Sequence, residues 1–174
     1  MVDRLVIFTV FPRFQSLDLL GPYEVFAGAN DVLAGERRSG PRYELMVVAA
    51  AAGPVLTSSG LAVQVDHGLA DVPSTGGDTV VVAGGDGAYD EIANAELISW
   101  LTDTRPRRLA SVCSGSFLLA AAGRLDGRRA ATHWARAKRL ARRYPAVAVD
   151  AEALYVRDGN VWSSAGVTAG IGRP

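Results

Sequence analysis

A chain of 174 residues with 49% hydrophobic and 21% charged residues has the length and composition of one globular domain. Its 18 Lys and Arg residues balance its 18 Asp and Glu residues, so net charge gives no attraction toward nucleic acid or a membrane surface. The single cysteine excludes an internal disulfide, and no apolar run reaches the roughly 18 residues of a membrane span. The apolar start at residues 5–11 is too short for a signal peptide, so we expect a cytoplasmic protein with one reduced thiol.

The first half of the chain predicts strands separated by one long helix. Residues 6–11 form a continuous β-branched and aromatic run, which is typical of a buried parallel strand. A helix is predicted to begin at Asp18. A second buried strand is predicted at residues 43–51, followed by a hairpin, or a strand with a turn, over residues 55–65.

The second half continues the alternation of strands and helices. Strands are predicted at residues 79–83, 108–112, 154–157 and 161–163, and helices at residues 92–101, 117–122 and 133–144. This alternation implies right-handed βαβ units, so we expect an α/β fold with a doubly wound, mostly parallel sheet and helices on both faces. Residues 167–171 look like the start of a helix that Gly172 and Pro174 stop. We therefore expect a single domain over residues 1–174 that lacks its last helix.

The strongest signal for chemistry is Cys113, in the sequence Ser-Val-Cys-Ser-Gly-Ser that joins a predicted strand to a predicted helix. Small residues two positions before and after a nucleophile let a strand turn sharply into a helix, which is the pattern of a nucleophile elbow. A helix N-terminus favours a thiolate, so we expect a lowered pKa for Cys113. The alternative interpretation is a small buried cysteine packed behind the strand.

Two further groups are expected at the same edge of the sheet. Gly84, Gly85 and Asp86 follow a predicted strand, and the carboxyl ends of parallel strands face the ligand crevice. The glycine N–H groups are candidate oxyanion donors, although glycine-rich turns are also common for structural reasons. The carboxyl of Asp18 is a candidate proton-transfer partner of the thiol, but by spacing alone a helix N-cap is the preferred interpretation.

His133 is one of two histidines, so a Cys–His pair would need it or His67. Beside Trp134 a histidine is more often structural. One cysteine and two distant histidines give no zinc spacing, and no phosphate-loop motif is present, so we expect no metal or cofactor. The arginines of the predicted basic helix fall opposite its apolar residues, among them Trp134, which favours a solvated face over nucleic-acid binding.

Four segments together resemble the ThiJ/PfpI superfamily, which has a class I glutamine amidotransferase-like, flavodoxin-type fold. They are residues 17–22, 84–87, 111–115 and 131–134, and the resemblance extends from the first strand to residues 166–171. Two branches share these motifs. One is the N-terminal domain of AraC-family transcriptional regulators, which carry a C-terminal helix-turn-helix domain. The other is isocyanide hydratase, which adds water to isocyanides to give N-substituted formamides.

Residues 143–147 and 154–166 look more like the regulators. The resemblance therefore implies, first, a ligand-sensing domain that binds a small molecule or dimerises through the cleft at Cys113. DNA would be bound only through a domain absent from this chain. A redox- or glyoxal-responsive protein using the same thiol is a third hypothesis.

For the hydratase alternative, the resemblance implies Cys113 as the nucleophile that attacks the isocyanide carbon, with Asp18 as its acid/base partner. Ser114 stands where a threonine usually contributes a hydroxyl. The groups expected to bind the ligand are Gly84, Gly85, Asp86 and His133. Because Ser114 takes the place of the histidine that follows the cysteine in the superfamily's proteases, peptidase activity is not expected.

Overall fold

The computed structural model describes residues 4–35, 42–73 and 77–166. The strands are β1 (Arg4–Thr9), β2 (Tyr43–Ala49), β3 (Gly53–Leu56), β4 (Ala62–Val65), β5 (His67–Gly68), β6 (Thr79–Val82), β7 (Arg108–Val112), β8 (Arg129–Ala130), β9 (Ala148–Val149), β10 (Tyr155–Asp158) and β11 (Val161–Ser164). The α-helices are α1 (Ser16–Gly35), α2 (Ala88–Glu91), α3 (Ala95–Asp103), α4 (Ser116–Ala121) and α5 (Ala137–Arg143). Short 3₁₀ turns cover Leu69–Asp71, Cys113–Gly115 and Trp134–Arg136.

Seven strands form the main sheet, in the order β10-β11-β7-β6-β1-β2-β5. Every neighbouring pair is parallel except β10 with β11. The central strand β6 is a continuous β-branched run, and Val80 and Val82 within it are fully buried, as is Val6 on the neighbouring β1. This arrangement confirms the predicted doubly wound, mostly parallel α/β fold.

Helices cover this sheet with apolar side chains. The aromatic rings of Tyr23 and Phe26 on α1 lie 5.4 and 6.2 Å from the ring of Phe8 on β1. Helix α4 packs against β6 and β7, and Phe117 and Leu118 within it are 0% exposed. A helix that is apolar on nearly all sides belongs in the core, which explains the burial of α4.

The hairpin predicted over residues 55–65 is confirmed, with β3 and β4 pairing as a separate two-stranded sheet. The single helix predicted at residues 92–101 is wrong. The helix begins later, as α3 at Ala95, and the separate helix α2 ends before it at Glu91; the side-chain oxygen of Asn94 accepts a hydrogen bond from the N–H of Leu97 at 3.2 Å and so caps α3.

The basic helix also differs from its prediction, because α5 begins at Ala137 after a 3₁₀ turn. Trp134 was expected on the apolar side, but its residue is 74% exposed, and the buried side consists of Ala137 and Leu140. The helix start predicted at residues 167–171 lies outside the described residues. Within the described ranges, no helix has the length and apolar character needed to cross a membrane.

Candidate functional site around Cys113

Cys113 follows β7 directly and opens the turn that leads into α4. Its φ is +55°, a left-handed conformation that costs a residue other than glycine about 1–2 kcal/mol. The turn is tight, because a Cβ at Gly115 would lie 2.5 Å from the carbonyl oxygen of Val82. The sharp strand-to-helix turn expected at Cys113 is therefore present, while nucleophilic reactivity of the thiol stays a prediction.

Asp18 reaches the same place from the first turn of α1. It is 0% exposed, and its Oδ2 accepts a hydrogen bond from the N–H of Gly84 at 3.0 Å. The N-cap interpretation of Asp18 is wrong, because this partner lies on another segment of the chain. Its Oδ1 is buried and has no hydrogen-bond partner among the described residues. Burial raises the pKa of Asp18 to about 7, against the opposing effect of the Gly84 hydrogen bond.

Gly84 and Gly85 allow this close approach of three segments. A Cβ at Gly84 would lie 2.6 Å from the Ser114 nitrogen and 2.7 Å from Asp18 Oδ2. The N–H of Gly85 donates to Ser114 Oγ at 2.8 Å, and this hydroxyl donates in turn to the Gly85 carbonyl at 2.9 Å. Both glycine N–H groups therefore have protein partners, so donation to a ligand would require these bonds to be exchanged.

The thiol of Cys113 is held in its protonated form. Burial raises its pKa to about 11 and the nearby Asp18 carboxyl adds to the rise, while Ser114 and the charge of Arg136 oppose it. The expected lowering of this pKa is wrong, because the residue is 8% exposed and the loss of hydration outweighs the dipole of the six-residue helix α4.

Hydroxyl groups from the loop after β8 and from the start of α4 fix the backbone of the turn. The Thr132 hydroxyl donates to the Cys113 carbonyl at 3.0 Å, and Ser116 Oγ donates to Thr132 Oγ1 at 2.7 Å. His133 has a different role, since its Nδ1 accepts from the N–H of Ala135 at 3.3 Å and caps the following turn. Its ring stacks on that of Trp134 at 5.5 Å. In the described part of the chain, no hydrogen bond joins His133 to Cys113, Asp18 or Ser114.

Tyr89 is a site residue that the sequence analysis did not identify. Its hydroxyl is buried and has no hydrogen-bond partner among the described residues. Its ring meets Phe117 edge-on at 5.0 Å, and the guanidinium carbon of Arg139 lies 4.1 Å from its centroid. Burial raises the pKa of Tyr89, opposed by Arg136 and Arg139, and the charges of Cys113 and Asp86 raise it further. No local motif marks Tyr89, because the residues around it come from distant segments.

Asp86 itself is exposed at the end of the Gly84–Gly85 loop, beside α2. In residues 4–35, 42–73 and 77–166, no three His, Cys, Asp or Glu side chains are grouped so that they could hold a metal ion. The chemistry of the described site therefore centres on one thiol, one carboxyl and neighbouring hydroxyls.

A cysteine on a sharp turn after a central parallel strand, close enough to a buried aspartate to feel its charge, defines a flavodoxin-like α/β protein with a thiol at the carboxyl edge of its sheet. The model of the DJ-1/PfpI family matches residues 4–172, and the chain belongs to this family. The sequence resemblance to the ThiJ/PfpI superfamily is thereby confirmed.

Three proteins illustrate the relationship. An isonitrile hydratase from Pseudomonas putida is 35% identical over 167 residues, which are 94% of this chain and 66% of the hydratase. The HTH-type transcriptional regulator CdhR from Pseudomonas aeruginosa is 34% identical over 166 residues, covering 94% of this chain and 46% of the regulator. The crystal structure of a ThiJ/PfpI family protein from Pseudomonas syringae superposes with a TM-score of 0.84 at 32% identity, covering 98% of this chain and 66% of that chain. The chain thus spans about half of the regulator and just under two thirds of the hydratase.

Proposed function

We propose that this chain is a small-molecule-sensing domain related to those of AraC-type transcriptional regulators, with Cys113 and Asp18 lining the ligand cleft. The observation that carries the proposal is the unpartnered Oδ1 of Asp18. A fully buried carboxyl oxygen without a partner is costly, and a ligand that hydrogen-bonds to it removes that cost.

The protonation state of the Cys113 thiol supports a domain that binds a ligand without converting it. Its pKa of about 11, caused first by burial and then by Asp18, leaves almost no thiolate at neutral pH. A protonated thiol offers a compact, weakly polar surface to a ligand. The likeness to CdhR, which covers 94% of this chain, supports the same proposal.

DNA binding and a homodimer belong to this proposal. DNA would be contacted through a helix-turn-helix domain that is absent from the 174 residues, and the protein would act in the cytoplasm. Leu17, Leu20 and Val32 on α1 are 43%, 41% and 58% exposed, and these apolar side chains support burial of the helix against a second copy.

The test of the sensing proposal begins with the nucleotide sequence downstream of the Gly172 codon. We expect the open reading frame to continue into a sequence that encodes a helix-turn-helix domain. The chain incubated with an aryl isocyanide is expected to release no formamide. A stop codon at that point together with formamide release would overturn the proposal.

Isocyanide hydration is the second candidate, and the strained Cys113 beside Asp18 specifically favours it. A non-glycine residue at φ +55° persists where the surrounding structure enforces it, which is common at active sites. With a pKa near 7, raised by burial, Asp18 can both accept and return a proton at neutral pH. The likeness to the isonitrile hydratase supports this candidate equally well.

The reaction would run in two steps. In the first, Cys113 Sγ bonds to the isocyanide carbon and the thiol proton passes through Asp18 to that carbon, which gives a thioimidate. In the second, water adds to the same carbon, a water proton goes to the nitrogen, and the C–S bond breaks. The thiolate regains a proton through Asp18, and the product is an N-substituted formamide. Formamide release that Cys113→Ala and Asp18→Asn abolish would establish the hydratase, and release that both variants retain would exclude it.

A further inference from the structure

Arg136 and Tyr89 lie together near Cys113. Their side chains form a corner of the site that carries a positive charge and hydrogen-bond donors. The guanidinium carbon of Arg136 lies 5.7 Å from the centroid of the Tyr89 ring. Its positive charge also acts on the sulfur, since it opposes the rise of the Cys113 pKa that burial and Asp18 cause. Arg136 is exposed, as expected for a solvated basic face, and its charge also reaches the thiol.

Five arginines of the described chain are paired with aspartates, but the two at this corner are not. In the described part of the chain, Arg13, Arg107, Arg108, Arg128 and Arg129 each form an ion pair with an aspartate. Neither Arg136 nor Arg139 forms an ion pair with any described carboxylate. Asp86 is close enough for its charge to affect Tyr89, yet it does not pair with either arginine.

The Tyr89 hydroxyl adds a second unfilled group at the same corner. It is buried and lacks a hydrogen-bond partner among the described residues. Its ring cannot shift easily, because Phe117 packs against it at 5.0 Å and the Arg139 guanidinium covers it at 4.1 Å. The Tyr89 hydroxyl is thus a donor on a packed ring, and the exposed Arg136 guanidinium lies 5.7 Å from the centroid of that ring.

We propose that Arg136 and Tyr89 form an anion-binding subsite of the Cys113 cleft, and that the ligand is a small molecule bearing a carboxylate. The guanidinium would bind the carboxylate through its planar set of N–H donors, and the Tyr89 hydroxyl would donate an additional hydrogen bond. Arg139 positions the tyrosine ring. This inference rests on the proposed binding of a small molecule at Cys113 and specifies its chemical class.

Two alkylating reagents test the subsite, because iodoacetate is an anion and iodoacetamide is its neutral counterpart. Each reacts at the same atom: Cys113 Sγ bonds to the methylene carbon, iodide leaves, and the thiol proton goes to solvent. The ratio of the two rate constants cancels the reactivity of the thiol and reports attraction of the carboxylate. Mass spectrometry of the intact chain gives both rates at one pH.

Arg136→Gln is expected to lower the iodoacetate-to-iodoacetamide ratio about fivefold, which is the effect of removing one unit charge at short range in a partly hydrated site. Arg142→Gln is the matched control, since it makes the same charge change on the exposed face of α5 and should leave the ratio within about twofold of wild type. Potassium chloride at about 0.5 M should lower the wild-type ratio toward that of Arg136→Gln.

Tyr89→Phe removes the hydroxyl alone and is expected to lower the ratio about tenfold, which is the low end of the effect of one lost hydrogen bond to a charged group. Tyr144→Phe is its control, because the Tyr144 ring also lies near Phe117, at 6.5 Å, but its hydroxyl accepts from Arg143 Nε at 3.3 Å. A normal iodoacetamide rate with the same ratio in wild type, Arg136→Gln and Arg142→Gln would overturn the subsite alone. Failure of both reagents to modify Cys113 would overturn ligand access to the thiol, and with it the proposed function.

Discussion

Asp18 and Gly84 lie 66 positions apart in the sequence, yet the Gly84 N–H donates to Asp18 Oδ2 at 3.0 Å inside the protein. This bond joins the start of α1 to the end of β6 and keeps the carboxyl beside the turn that holds Cys113. The hydrogen bond satisfies one carboxyl oxygen, and the other remains unpartnered among the described residues. Several properties of the site depend on this placement.

Replacing Asp18 with Asn should remove a component of the pH dependence of stability. Burial raises the folded-state pKa of Asp18 to about 7 from an ordinary value of 3.8, so the folded chain holds this proton more tightly than the unfolded chain. The wild-type free energy of unfolding should therefore fall between pH 4 and pH 7, by up to about 4 kcal/mol from this group. Urea unfolding across that range should show a smaller decline for Asp18→Asn. Equal declines in the two proteins would show that the carboxyl is not held in its neutral form.

Gly84→Ala should destabilise the fold. The added Cβ would lie 2.6 Å from the Ser114 nitrogen and 2.7 Å from the Val112 carbonyl oxygen, and neither backbone atom can move freely. Overpacking of this kind costs about 1–3 kcal/mol, to be measured by urea unfolding. Gly28→Ala is the control, since Gly28 lies in α1 with nothing within 4 Å of an added Cβ. It should be neutral or slightly stabilising, and a Gly84→Ala chain as stable as Gly28→Ala would refute the close packing of the three segments.

Ser114→Ala should destabilise the loop after β6, because both hydrogen bonds between the Ser114 hydroxyl and the backbone of Gly85 are lost. A loss of about 1–2 kcal/mol in the free energy of unfolding is expected. Ser114→Thr keeps the hydroxyl and should recover most of the loss. If the alanine and threonine variants were equally stable, the hydroxyl would have no part in fixing the loop.

The left-handed conformation of Cys113 predicts an order of stability between two substitutions. Glycine adopts φ +55° without steric cost, whereas alanine keeps the strain of the turn. Cys113→Gly should therefore be more stable than Cys113→Ala by about 0.5–1 kcal/mol, despite the greater flexibility of glycine in the unfolded chain. Thermal unfolding of the two variants gives the comparison. A more stable alanine variant would argue against strain at the turn.

The sequence predicted those parts of the fold that depend on local pattern. The β-branched run that contains Val6 specifies a buried strand, and the small residues around Cys113 specify a sharp turn. Both patterns act locally and do not depend on the rest of the chain. The partner of Asp18 could not be predicted in this way, because an N-cap is a local interpretation and Gly84 is a distant residue. The division between α2 and α3 could have been predicted from the sequence, since Asn is a favoured N-cap residue and Asn94 precedes α3.

Burial explains the remaining differences between sequence and structure. The pKa of Cys113 depends on how much water reaches the sulfur, which no motif reveals, and burial outweighs the helix dipole there. Tyr89 carries no sequence signal, because its environment combines Phe117 on α4 with Arg136 and Arg139 from the region of α5. Such contacts arise only when the sheet brings these segments together.

The pH dependence of Cys113 alkylation by iodoacetamide tests the central claim, that burial and the neighbouring Asp18 hold this thiol protonated. The rate should rise with pH throughout the neutral range and pass through its midpoint at about pH 11, because burial raises the pKa first and Asp18 adds to it. Asp18→Asn should shift the profile to lower pH, since the carboxylate is removed while burial remains. A wild-type midpoint near the ordinary thiol value of about 8.5, unchanged in Asp18→Asn, would contradict the claim.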